Sequence, residues 1–208
     1  MARPRSDIST RIVHAARACF LRDGVDGTSQ RRVAREARTN LGMLYYYFPT
    51  KDDLFLAVVE EIYSKLLGDL TEAARPNVSV EEQLRAIYER LGRLSADEAD
   101  VLRIAIREML VSTARRGRLF ERFSHGHLPL LVRLLAQGQD AGELRSVGAP
   151  IADVMAVLAL AVAPQIAARV LTPLLERHLT VPPGVELAAM CHSTLLDGIR
   201  SRNRTAKP

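Results

Sequence analysis

A chain of 208 residues with 48% apolar side chains is large enough to bury a core, as one large domain or two small ones. The net charge is +5, and the two cysteines, Cys19 and Cys191, make neither a dense disulfide framework nor a metal-spaced pair, which argues against a secreted disulfide scaffold and against a zinc module. No signal-like apolar segment is evident, and the most apolar run, Val154 to Ala163, is about half the ~20 residues a membrane span needs. A cytoplasmic protein that packs this run as a helix, with no membrane partner, is therefore expected.

In chain order, Met1 to Ser6 is a polar arm carrying Arg3 and Arg5. It reads first as an unstructured tail, and second as an arm whose arginines reach a minor groove. From Asp7, apolar residues at Ile8, Ile12, Ala15, Ala16, Cys19 and Phe20 repeat at helical spacing, and Gly24 supplies a left-handed stop. Thr28 and Ser29 offer caps for a short second helix, Gln30 to Ala37, with Val33, Ala34 and Ala37 inward. A tight turn at Arg38 and Thr39 leads into Asn40-Leu-Gly-Met-Leu-Tyr-Tyr-Tyr-Phe48, about two turns of helix capped by Asn40. Leu44 and Phe48 anchor it, while Leu41, Gly42, Tyr45 and the ring edge of Tyr46 fall toward another side; of the two readings for Tyr46, packing on the first helix is preferred to a contact with DNA. Phe48-Pro49-Thr50 breaks this helix, and Thr50 caps a fourth beginning Lys51-Asp52-Asp53.

Two short helices joined by a turn, the second presenting polar and aromatic groups, are the parts of a helix-turn-helix. Charge agrees. Ten basic against six acidic side chains precede Leu54, so four of the five net positive charges lie around the tyrosine helix. That placement suits a phosphate-facing module, though charge alone fits a solvated basic surface equally well.

The run Arg11 to Ala16 with Phe20 and Gly24, then Thr28-Ser29 with Val33, Ala34 and Ala37, then Gly42, Leu44-Tyr45, Tyr47-Phe48 and Lys51 to Leu54, resembles the DNA-binding domain of TetR-family transcriptional regulators. The resemblance covers about a quarter of the chain. It implies an all-α, homodimeric regulator and no enzyme, with a DNA-binding domain at 1–52 and a ligand-binding and dimerisation domain at 53–208. By the same resemblance Thr28 and Ser29 lie at the DNA backbone, with Arg31 near phosphates or base edges. The recognition helix headed by Asn40 brings Leu41, Gly42, Tyr45 and Tyr47 to the major groove, and Lys51 holds a phosphate. Elementary chemistry agrees with these roles: amides and hydroxyls at helix starts donate to phosphate, and tyrosine offers both a ring and a hydroxyl. Two positions depart from the pattern. Arg38 stands where the family's turn usually has glycine, at a cost of about 1–2 kcal/mol if left-handed. Leu41 is apolar where a polar group would read bases more easily.

The fourth helix carries Phe55, Val58, Val59, Ile62 and Leu66, a stripe wide enough to serve as a mechanical link to the C-terminal helices. Pro76-Asn77 and Ser79 separate it from a fifth, and Ser95 and Asp97 cap a sixth whose Arg103, Arg107 and Glu108 face solvent or a pocket. A seventh runs from about Arg118 to Gln139 with a bend before Pro129, an eighth from about Pro150 to Arg177 with a kink at Pro164, and a last from Gly184 to Arg200. No strand-like alternation or repeat appears, so the fold is all α. The last two helices carry more apolar surface than one core needs, which suggests a self-complementary four-helix homodimer contact.

A pocket for an unidentified, largely apolar small-molecule effector would be lined by Ile62, Leu66, Met109, Phe120, Phe123 and Met155, with Arg107, Glu108, His127 and Gln165 as polar anchors. Each residue also has a plainer reading: core for the apolar ones, a solvated pair for Arg107 and Glu108, a kink cap for Gln165. His125, His127, Cys191 and His192 fit no zinc spacing, so no metal and no cofactor is expected. An all-α enzyme using Glu108 and a histidine, and a module whose tyrosines meet a protein partner, are the alternatives to a DNA-binding regulator. The basic tail at Arg200, Arg202, Arg204 and Lys207 receives no function.

Overall fold

The computed structural model describes residues 7–75, 77–145, 149–175 and 180–199. Arg3 and Arg5, Pro76, Gly148, Arg177 and the tail from Arg200 lie outside the described residues. Among those described there are ten helices: α1 (Asp7–Gly27), α2 (Gln30–Glu36), α3 (Leu41–Tyr47), α4 (Lys51–Ala73), α5 (Val80–Gly92), α6 (Ala96–Val111), α7 (Thr113–Ser124), α8 (His127–Asp140), α9 (Pro150–Leu175) and α10 (Gly184–Ile199).

They pack as two compact units. The first joins residues 1–65 to 96–122, and the second joins 66–95 to 123–208. These units do not follow a division at Asp52, because α4 runs through Lys65 in the first and α6 belongs to the first as well.

In the first unit, the inward face of α1 is Ile12, Val13, Ala16, Cys19 and Phe20, all essentially inaccessible; α1 packs on α2 and α3, whose Val33, Ala34 and Leu44 are buried, and Leu54, Phe55, Val58 and Val59 of α4 are buried as well. The regular part of α1 ends at Gly24, whose φ of 76° only glycine adopts without strain. Thr50 and Asp53 form a reciprocal cap at the start of α4: the Asp53 amide donates to Thr50 Oγ1 at 3.0 Å and the Thr50 amide to Asp53 Oδ2 at 3.1 Å.

In the second unit, α5 begins with a complete capping box, Ser79 with Glu82. Its inner residues Leu84, Ile87, Tyr88 and Leu91 pack against α9 and α10. A Cβ on Gly92 would lie 2.7 Å from the Gly184 carbonyl oxygen, so the α5 end and the α10 start approach closer than any side chain would permit. Buried Tyr88 donates its hydroxyl to the Val157 carbonyl at 3.0 Å, which satisfies its one polar atom.

The single seventh helix expected from Arg118 to Gln139 is two helices. Ser112 opens α7, its hydroxyl accepting the Arg115 amide at 3.3 Å, and Gly126, at φ −129° and ψ −116°, separates α7 from α8. Pro129 causes no bend; it lies in the first turn of α8, where no N–H is required. The run expected to pack as a buried helix is part of α9, 26 residues with mean hydropathy 2.0 over its apolar window. By length and composition it could span a membrane, and only 22% of that window is buried within the chain. One face of α9, Asp153, Val154, Val157, Ala161 and Gln165, is inward; Ile151, Met155, Val170 and Leu174 stand out on the other.

Candidate nucleic-acid interface

The geometry of α2, the turn and α3 follows from local hydrogen bonding. Ser29 caps α2, accepting the Arg32 amide at 3.3 Å. At the other end, the Thr39 amide returns to the Ala34 carbonyl at 3.0 Å and the Arg38 amide to the Arg35 carbonyl at 3.1 Å. This is a Schellman closure, and it requires a left-handed residue at Arg38, which has φ 52°. The chain thus keeps the turn that glycine would make without strain, carrying an arginine there at about 1–2 kcal/mol. Asn40 then caps α3, its Oδ1 accepting the Met43 amide at 2.8 Å, and fully buried Leu44 fastens the helix to the core.

Ser29, Arg31, Asn40, Gly42 and Tyr45 are exposed together on this segment, with Leu41 and Tyr47 half-buried. A Cβ on Gly42 would come within 3.3 Å of the capping Asn40 Oδ1, so glycine leaves the cap undisturbed. Two expectations, for Tyr46 and Thr28, need correction, and that for Lys51 is narrowed. Tyr46 is not sequestered against the core; it is 56% exposed and meets Tyr47 edge-on at 5.2 Å. Thr28 is buried, and its hydroxyl donates to the Gly24 carbonyl at 2.8 Å, so it closes the loop before α2 and offers nothing outward. Lys51 Nζ donates to the carbonyls of Asp26 and Thr28 at 3.1 and 3.3 Å, which leaves one of its three N–H groups uncommitted.

The basic residues separate into two sets. Arg22 and Arg32 are paired with Asp23 and Glu36, and hydrogen bonds from Arg22 hold the Glu36 carboxyl below its ordinary range. Arg31, Arg35 and Arg38 are exposed, and among the described residues their side chains have no partner. Sequence reasoning misses Arg35, although its spacing of four from Arg31 puts both guanidinium groups on one face of α2.

Behind this surface lies a charge cluster. Arg115 of α7 is buried, and donates from Nε to Glu108 Oε2 at 2.6 Å, from Nη2 to Asp26 Oδ2 at 2.7 Å and from Nη1 to Asp52 Oδ1 at 3.1 Å. Burial works against its charge, but the bonds to Asp26, Asp52 and Glu108 outweigh burial and raise its pKa further. The same contact holds the Asp26 carboxyl below its usual value. Glu108 is therefore neither solvated nor a pocket anchor. One and two turns further along α7, Arg118 meets Asp53 and Arg122 grips both oxygens of Glu60 while lying over the Tyr63 ring. Arg107, expected in a pocket, lies against Gly24, where an added Cβ would come within 2.6 Å of its Nη2.

The remaining pocket residues are divided between the two units. Ile62, Met109 and Phe120 belong to the first unit, Phe120 being 61% exposed. Leu66 is core of the second unit, Phe123 stacks with His127 at 4.8 Å, and Met155 is 63% exposed on the outer face of α9. Gln165 alone lines a cavity, of about 190 Å³, shared with Gly92, Arg169, Thr172 and Pro182, where its buried Nε2 has no partner. A second cavity, of about 280 Å³, is lined by Ala74, Gln83, Leu130, Arg133, Leu134 and Gln137.

A capped helix, a left-handed turn and a second capped helix with exposed aromatics define a helix-turn-helix on an all-α scaffold. Residues 12–58 match the family described as bacterial regulatory proteins, tetR family. The chain is similar to that family over this N-terminal segment. It is 30% identical over 84 residues to an uncharacterised HTH-type transcriptional regulator, YuxN, of Bacillus subtilis, a match covering 38% of this chain and 29% of that one. It is 20% identical over 134 residues to the fatty acid metabolism regulator protein of the same organism, covering 64% and 69%. The chain thus spans under a third of the first relative's length. In fold it is similar to the transcriptional regulator FadR from Bacillus subtilis in complex with stearoyl-CoA, with a TM-score of 0.74 at 18% identity, covering 92% of this chain and 99% of that one.

Proposed function

We propose that this chain is a homodimeric, ligand-responsive DNA-binding transcriptional regulator of the cytoplasm, a repressor that a small molecule releases from a palindromic operator. Residues 1–52 read DNA, and 53–208 bind effector and form the dimer. The observation that carries the reading is the segment Ser29 to Tyr47: a capped α3 with Tyr45 and Tyr46 outward, beside three unpartnered arginines at 31, 35 and 38. An unpaired, exposed guanidinium gives up no ion pair when it meets phosphate, whereas Arg22 and Arg32 would first have to leave their carboxylates. Ser29, Asn40, Leu41, Gly42, Tyr45 and Tyr47 complete the contact surface, Leu41 against a thymine methyl, and Lys51 adds its remaining N–H. Thr28 contributes through the loop it closes.

The outward stripe of α9, Ile151, Met155, Val162, Ile166, Val170 and Leu174, recurs at helical spacing and is covered by its copy in a second subunit, with Met190 of α10 beside it. Such a dimer presents two recognition helices about 34–36 Å apart, one turn of duplex, or a multiple. The effector site is assigned to the 280 Å³ cavity of the second unit, where Gln83, Arg133 and Gln137 are polar anchors on an otherwise apolar wall. Effector acts by preferring one of two arrangements of the reading heads.

The test is selection of genomic fragments by the purified protein, followed by titration of a selected duplex at several salt concentrations. A palindromic site, and an affinity that falls steeply with salt, are expected, as several phosphate contacts require. A flat salt response would favour the protein-partner alternative, and a single-chain mass in sedimentation equilibrium would sink the dimer. The relatives named above are regulators, which supports this reading over that of an enzyme.

A further inference from the structure

We infer that Arg115 is a positioning residue for DNA binding: anchored on Glu108, its remaining guanidinium nitrogens hold Asp26 and Asp52 and so fix the helix-turn-helix in the geometry that engages the duplex. The inference rests on the reading of α3 as a recognition helix. Its basis is an asymmetry within the cluster. The Arg115 and Glu108 side chains are 7% and 3% exposed, while Asp26 and Asp52 are 75% and 32% exposed. A buried charge pair cannot open without stranding an unpaired charge, so the Glu108 bond is the costly one of the three to break. Exposed carboxylates exchange a guanidinium for water at little cost. The result is a fixed fork with two releasable arms.

The arms reach the two ends of the reading segment. Asp26 lies in the closing turn of α1, past the kink at Gly24 in the segment that Thr28 ties down before α2, and Asp52 lies in the first turn of α4, just after the α3 break at Phe48 to Thr50. The loop is gripped twice more, by Lys51 at two carbonyls and by Arg107 against Gly24. Ser112, the single residue between α6 and α7, caps α7 and accepts the Arg115 amide, so the fork is fixed to the end of α6. A planar group with five donors is needed to satisfy three carboxylates at once; a lysine would supply the charge without the fork.

The test replaces both arms, Asp26→Ala with Asp52→Ala, and leaves the Glu108 anchor intact. Deleting two negative charges near a phosphate-facing surface would by charge alone tighten binding, so the two explanations predict opposite signs. With a duplex obtained by genomic selection, at fixed salt, the double variant is expected to bind about tenfold more weakly, within the usual span of coupling between sites. Its salt slope should be unchanged, because no phosphate contact is removed. Arg115→Lys, which keeps the charge, should weaken binding as well. Asp26→Ala alone, at a mostly exposed side chain that carries no risk to folding, should do so by a few-fold. Equal or tighter binding by these variants, while the wild type binds normally, overturns the positioning role and leaves the recognition helix standing. A wild type that retains no duplex overturns both.

Discussion

The first unit is tied across its helices by charge and the second by close apolar contact. Arg17 with Asp97, Arg115 with its three carboxylates, Arg118 with Asp53 and Arg122 with Glu60 all join separate segments within residues 1–65 and 96–122. Within 66–95 and 123–199, the joints are Gly92 against Gly184, Ala188 at 1% exposure, and Tyr88 under α9 and α10, to which Arg90 with Asp69 adds an ion pair between separate helices. The two kinds of joint respond differently to stress. An exposed ion pair trades its partner for water at a cost of about 0–1 kcal/mol and can rearrange, whereas interdigitated apolar faces either fit or leave voids. Under the proposed function, a part that shifts its reading head would suit the first kind, and a part that holds two copies at a fixed distance would suit the second.

Arg115 with Glu108 is the exception within the first unit, since that pair is buried, and it provides the sharpest way to break the comparison. Glu108→Ala should destabilise the protein by about 3–5 kcal/mol, because it strands the guanidinium. A denaturant titration would show this as a lower midpoint at similar slope. A loss below about 1 kcal/mol would mean that the cluster is as yielding as a surface pair, and the distinction between anchor and arm would go.

Next in size is a pair of glycine substitutions, one in each unit. Gly92→Ala places a Cβ 2.7 Å from the Gly184 carbonyl oxygen and 2.9 Å from Ala188 Cβ, with backbone on one side that cannot yield. It should cost about 1–3 kcal/mol by overpacking. Gly117→Ala, on α7 with nothing within 4 Å of the new Cβ, should stabilise by about 0.5–1 kcal/mol through helix propensity. Thermal melts of the two variants should therefore move in opposite directions; if Gly92→Ala is neutral, the close approach of α5 and α10 is not what holds the second unit.

How far these features could be read from the sequence depends on the kind of interaction. Caps at Ser29, Asn40 and Thr50, the stop at Gly24 and the left-handed demand on Arg38 are local, set by a few neighbouring residues, and they were legible. The Arg115 cluster was not. It joins residues 26, 52, 108 and 115, and only the seven-residue step from Glu108 to Arg115 hints at it. The break at Gly126 was hidden because apolar spacing runs across it and Pro129 was the louder signal. Tyr46 and Thr28 were misplaced because a tyrosine or threonine beside a core position fits either side, and only packing decides. The apolar surplus of the last two helices was legible, but the letters of α9 did not say which of its faces the chain leaves bare.

The smallest expected effect is that of acid. Hydrogen bonds from Arg115 lower the Asp26 pKa, those from Arg22 lower that of Glu36, and those from Thr50 lower that of Asp53. A carboxyl whose folded pKa lies below its unfolded one binds fewer protons when folded, so it adds stability above the unfolded value, about 3.9 for Asp and 4.3 for Glu. That stability is lost as pH falls through the folded value. All three groups lie in the first unit, at α1, α2 and the start of α4. Because they are exposed and partly screened, each loss is small, and global unfolding is a poor detector. Amide hydrogen exchange compared at pH 5 and pH 3 is a better one: protection in α1 to α4 should fall while that of α5 with α10 holds. Uniform loss across both units would mean that the charged joints are no more acid-labile than the apolar ones, and that the first unit is no easier to move than the second.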